Sequence, residues 1–159
     1  MKALAQLVGK LLEILVVVIL SAMSILVFVN VVLRYGFNSS ISVTEEVSRY
    51  MFVWLAFLGA VLAFSENQHV KVTMLTDKLS PTARNILSVV TDLAMLFCCY
   101  LIVDGSWIQF NLNLNNFAPI SGLPQGITFL ASTVAGVLIG LLIIARIVAT
   151  VDVIAKGEK

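Results

Sequence analysis

Side chains with reactive or metal-ligating chemistry are few and scattered. The 159 residues include one histidine, His69, and two cysteines, Cys98 and Cys99. A metal centre or a haem held by two histidines needs clustered ligands. A lone imidazole in the polar connection between Glu66 and Arg84 reads as solvated or structural. Cys98 and Cys99 are sequence neighbours inside an apolar run, which is poor geometry for a mutual disulfide, so they are expected to pack as small hydrophobes. No spacing unites a serine or cysteine with a base. The chain is therefore not read as an enzyme, and it is expected to have no catalytic, substrate-binding or metal-binding residue and no cofactor.

The charged residues are more informative. Asp92 lies eight residues beyond Arg84, about 12 Å along a helix, within an apolar stretch. Asn85, Ser88, Asp92 and Cys99 fall on one helical stripe. A lone intramembrane carboxylate makes a poor transport pathway, so the stripe reads as a polar seam buried against another helix or a partner, with Asp92 hydrogen-bonded or neutral. The densest polar feature is Arg34, Glu45, Glu46 and Arg49. Arg34 would sit at a helix C-terminus and the two glutamates at a helix N-terminus, each sign complementing the local dipole. Glu45 and Arg49 are also spaced to pair on one helix face. Either a salt-bridged hairpin or a docking surface would look like this.

The elements that position these residues are dictated by composition. With 60% hydrophobic residues and only 12% charged, the chain lacks the polar surface of an ordinary soluble domain. Ten Lys/Arg against nine Asp/Glu, net +1, give no basic surface for nucleic acid. About 20 apolar residues cross a bilayer, and four such spans are expected, at about 11–34, 43–65, 81–108 and 124–149, in a single transmembrane domain over 1–159. The first is uncharged from Ile14 to Leu33 and runs past Ser24, too long for a cleaved signal. The second opens on a capping box, Ser42-x-x-Glu45. Ser80 and Pro81 open the third. From Gly105 to Ala145 there is no charge, and an Asn, Gly and Pro cluster from Asn111 to Pro124 divides the run as a loop.

The fold class is thus an all-α membrane protein with four transmembrane helices, with room for short interfacial helical segments. Lys2, Lys10, Lys71, Lys78, Arg84, Arg146, Lys156 and Lys159 would fall on one side and only Arg34 and Arg49 on the other, so both termini are expected in the cytoplasm. Tyr35, Phe37, Trp107, Phe110 and Phe117 would gather at the outer interface. Ser132, Gly136 and Gly140 form a small-residue helix-packing stripe, and Ala56, Ala60 and Ala63 form a second. Whether either contact lies within the chain or with another is open at this stage.

Three segments together resemble a known family: NVVLRYGFNS from Asn30 to Ser39, EEVSRYMFVWLAFLGA from Glu45 to Ala60, and ENQHVKV from Glu66 to Val72. In order and spacing they are similar to the small membrane subunit of tripartite ATP-independent periplasmic (TRAP) transporters, the DctQ-like family. The likeness is distinct over about residues 11–80; the later half, including SGLPQG at 121–126, agrees mainly in hydropathy and loop placement. Carried over by position, the recurring residues are Asn30, Arg34, Tyr35, Phe37 and Asn38, then Glu45, Glu46, Arg49, Tyr50 and Trp54, then Glu66, His69 and Val70. Ser40 stands where the family often has a proline or similar residue.

The resemblance implies a sodium-coupled uptake system of the bacterial inner membrane. A periplasmic binding protein delivers an organic acid, a large elevator-type membrane subunit moves it, and the small subunit anchors that mover as a scaffold among membrane lipids. Two rivals stand beside this. One is a stand-alone four-helix exporter exchanging protons through Glu13 or Asp92. The other is the membrane anchor of an enzyme complex, which would supply haem or quinone ligands.

Overall fold

The computed structural model describes residues 2–39, 41–66 and 81–155. These form four α-helices: α1 (Lys2–Gly36), α2 (Ser42–Glu66), α3 (Pro81–Leu112) and α4 (Gly126–Ala155). Each is long and apolar enough to cross a membrane, over Gly9–Gly36, Ser42–Ser65, Ile86–Leu112 and Gly126–Val151. Large apolar side chains such as Ile14, Phe28, Phe97 and Leu141 point outward. A soluble monomer does not tolerate that on such a scale, whereas lipid favours it.

α1 begins at Lys2 and α4 runs on to Ala155, beyond the expected starts and ends near 11 and 149, and two boundaries beside the α3–α4 loop also differ. α3 continues through Asn111 to Leu112 because Asn111 turns its side-chain amide back to the carbonyl of Trp107 (2.8 Å) and Asn113 does the same to Gln109 (2.9 Å). α4 starts at Gly126 rather than Pro124. Pro124 is held in an isolated antiparallel bridge to Phe117, and its carbonyl accepts from the Ile127 amide at 3.2 Å.

The capping box expected at Ser42 and Glu45 does not form. The first turn of α2 is closed instead by the Thr44 amide on the Ile41 carbonyl, 3.0 Å, and Glu45 faces Arg34 at the end of α1. That end is itself capped. Asn38 adopts φ 53°, and the Ser39 and Phe37 amides both return to the Leu33 carbonyl at 3.1 Å. Such a left-handed cap is usually glycine and sometimes asparagine.

The principal packing partners are α1 with α2, α2 with α4, and α4 with α3, so the helices lie in a row with α2 and α4 inside. Leu58 and Val61 of α2, Ala135 of α4 and Leu12 of α1 form the buried core, flanked by Trp54, Phe57, Val16, Ile19, Leu138, Ile139 and Leu142. α2 and α4 run parallel. α3 and α4 run antiparallel, joined by the loop 113–125.

Candidate functional site

The α3–α4 interface is built on small residues and closed by charge. Ser132 donates to Ser106 at 2.8 Å. One turn further, a Cβ added to Gly136 would stand 2.7 Å from Cγ2 of Val103 and 3.7 Å from the Cys99 carbonyl, and one added to Gly140 would meet Leu96 at 3.9 Å. The stripe Ser132, Gly136, Gly140 therefore packs against α3 of the same chain. Cys98 and Cys99 are both free thiols.

Toward the end of the spans away from the loop, Asp92 is 1% exposed. Arg146 of α4 grips it side-on through one guanidinium edge, Nε to Oδ2 at 3.0 Å and Nη2 to Oδ1. The guanidinium carbon lies 5.4 Å from the centroid of the Phe64 ring on α2. One arginine thus ties three helices together, by a bidentate fork to carboxylate and a cation–π contact. The sequence singled out Asp92 and its polar surroundings but placed Arg146 among the flanking cations. Their partnership spans 54 positions, and only the helix register shows it. As a proton relay, Asp92 would have to break this pair.

The second polar constellation joins α2 to the 113–125 loop. Glu46 accepts from the amides of Ile120 (3.3 Å) and Ser121 (2.7 Å). One turn on, the Tyr50 hydroxyl donates to the Leu123 carbonyl at 3.4 Å. Glu46, Tyr50, Trp54, Leu58, Val61 and Phe64 recur at helical spacing, so α2 presents one continuous face to α4 and its entry loop. Glu46 thus turns away from the hairpin charges with which the sequence grouped it. Adjacent helical residues differ by about 100° in direction, and Glu45 falls on another face.

The hairpin between α1 and α2 is held more loosely. Arg34 and Glu45 approach to 4.0 Å with both side chains more than 60% exposed. Among the described residues the ion pairs within 4.0 Å are this one and Asp92–Arg146, so the expected Glu45–Arg49 pairing is not made and Arg49 stands exposed. Asn30 closes the turn, its Oδ1 accepting from the Ile41 amide at 3.0 Å. Tyr35 and Phe37 point outward, 84% and 74% exposed. Glu66 ends α2, while His69 and Val70 lie outside the described residues. Ala56 and Ala60 of the second stripe are exposed. Glu13 is also exposed, on α1. No group of three or more His, Cys, Asp or Glu placed to hold a metal ion occurs among the described residues.

Residues 23–152 match the family model described as tripartite ATP-independent periplasmic transporters, DctQ component. A putative TRAP transporter small permease protein of Haemophilus influenzae is 64% identical over 99% of this chain and 98% of its own length. The C4-dicarboxylate TRAP transporter small permease protein DctQ of Vibrio cholerae is 30% identical over 60% of this chain and 41% of its own. The isethionate TRAP transporter permease protein DctMQ of Oleidesulfovibrio alaskensis is 24% identical over 68% of this chain, a stretch that makes up 17% of that longer protein.

Proposed function

Since the chain belongs to the DctQ component family of TRAP transporters and is a small permease subunit, we propose that it is the stationary member of its transporter, bracing a large membrane subunit and carrying nothing itself. The cargo on this reading is an organic acid, brought by a periplasmic binding protein and moved by the large subunit at the expense of a sodium gradient. The observation that carries the proposal is the interior. All four spans are continuous helices, whereas transporter sites near the membrane midplane are typically built from broken ones. Aliphatic side chains fill the α1–α2–α4 core, and the buried carboxylate Asp92 is already neutralised by Arg146. A rigid row of helices of this kind resists deformation and offers a fixed surface.

The match to a limited part of a longer DctMQ permease supports a close association between small and large subunits. Within the row, the outward stripe of α2 at Ala56 and Ala60 is the face assigned to the large subunit, because small side chains let a foreign helix approach closely. Arg34, Glu45 and Arg49 extend that side of the hairpin as polar contacts. The excess of Lys and Arg at the end opposite the two short connections supports cytoplasmic termini in a bacterial inner membrane.

The test is co-expression. With this chain present, the large subunit should be recovered as a stable complex that takes up substrate when the binding protein and a sodium gradient are supplied. A large subunit that is equally stable and equally active without the chain would refute the bracing role.

A further inference from the structure

We infer that the loop between α3 and α4 is seated in the membrane interface, with the apolar side chains at its tip in contact with lipid, and that Glu46 holds it there. This goes beyond the bracing role and does not depend on it.

The second half of the loop depends little on water. From Ala118 to Thr128 every backbone N–H donates within the protein. The Ala118 amide donates to Leu123, Gly122 to Ala118, Gln125 to Asn116, Gly126 to Asn113, Ile127 to Pro124 and Thr128 to Gln125. Those of Ile120 and Ser121 go to the Glu46 carboxylate and that of Leu123 to the Ser121 hydroxyl. Pro119 and Pro124 have no N–H to place. A loop in water has no need to satisfy its donors internally, since solvent does so; the closer a backbone lies to the hydrocarbon, the fewer donors it can leave open.

Its outward side chains agree. Leu114, Phe117 and Ile120 are exposed, the last two by more than half, and no charged residue occurs between Gly105 and Ala145. Trp107, Ile108 and Leu112 carry the same exposed apolar surface up the last turns of α3, so the tip is continuous with a lipid-facing helix. The α1–α2 turn at the same end of the molecule also exposes Tyr35 and Phe37 but is flanked by Arg34, Glu45 and Arg49, so charge is what distinguishes the two connections. The asparagines complete the pattern. Asn111, Asn113 and Asn116 tie their amides to neighbouring polar groups, which suits the headgroup level. Lipid is the occupant that an uncharged, aromatic-tipped loop, its backbone donors satisfied from Ala118 onward, fits at the mouth of two spans.

The test places single cysteines at Phe117 and Ile120 in a Cys98→Ala/Cys99→Ala background, with Ser39→Cys on the charged turn as the water-facing reference. Each full-length variant is labelled with an environment-sensitive dye and reconstituted in phosphatidylethanolamine–phosphatidylglycerol nanodiscs, alone and with the large subunit. Lipids brominated near the top of the acyl chain should quench the dye at 117 and 120 in both preparations and leave the reference bright. A charged maleimide should modify those positions about tenfold more slowly than Ser39→Cys, the bias expected from burying one such side chain. Reaction at the reference rate without quenching would place the loop in water and overturn the inference. Quenching that vanishes when the large subunit is added, with labelling still slow, would overturn it in favour of a protein occupant. Glu46→Gln, with the chain still helical by circular dichroism, should raise the maleimide rate at 120; an unchanged rate would remove Glu46 from the account.

Discussion

Replacing Arg146 by methionine leaves Asp92, 1% exposed, without its counter-ion in a span. Asp92 lies eight residues beyond Arg84 on α3, and Arg146 six residues before Asp152 on α4, so the pair sits about 9–12 Å along the helices from the nearest flanking charges. At that depth the carboxylate cannot reach the headgroups, whereas arginine can snorkel. The two single substitutions should therefore be unequal. Arg146→Met should cost about 3–5 kcal/mol, the usual penalty for stranding a buried charge. Asp92→Asn should cost only about 1–2 kcal/mol, because Arg146 is 28% exposed, keeps Phe64 and can bond the new amide. Asp92→Asn with Arg146→Met removes both charges and should recover much of the Arg146→Met loss, giving a coupling of about 2–3 kcal/mol. Unfolding by sodium dodecyl sulfate in mixed micelles, followed by circular dichroism and tryptophan fluorescence, reads all four states of the cycle. Equal single costs below about 0.5 kcal/mol with an additive double variant, the behaviour of a surface pair, would refute the argument.

Three further outcomes follow from the packing and the caps. Gly136→Ala should lower stability by about 1–3 kcal/mol through overpacking on Val103, and Val103→Ala should relieve it. Gly140→Ala should be neutral or stabilising, since its nearest neighbour stands at 3.9 Å; equal effects at the two glycines in the same detergent titration would contradict the helix register. Glu46→Ala should raise amide exchange of Ile120 and Ser121 by about tenfold or more, consistent with the loss of charge-assisted bonds, while Glu45→Ala changes stability by less than about 1 kcal/mol; hydrogen exchange by mass spectrometry separates the two. Asn38→Gly should be tolerated and Asn38→Val should cost about 1–3 kcal/mol in the left-handed cap, read as a fall in melting temperature.

The four spans were legible because bilayer thickness and hydropathy alone set them. The α1–α2 turn was legible at Arg34 and Glu45, whose charges suit helix ends; Asn38 entered only through the family resemblance, and its left-handed cap was not foreseen. What stayed hidden depended on register between distant helices. Nothing local marks Arg146 as the partner of Asp92, and a cation near the end of a span is equally well explained by topology. Glu46 was misplaced for a reason the sequence did contain: it follows Glu45, and neighbours on a helix face different ways. The two small-residue stripes read alike in sequence, yet Gly136 is wedged against Val103 while Ala56 and Ala60 are bare. Only the order of helices in the row distinguishes an inner seam from an outer face.

The claim at the centre is that this subunit steadies a carrier and is not one. The direct measurement is radiolabelled organic-acid flux into proteoliposomes holding the purified chain alone, with binding protein and an inward sodium gradient supplied. The account predicts uptake no greater than in empty vesicles, and saturable, gradient-driven accumulation by the chain alone would contradict it.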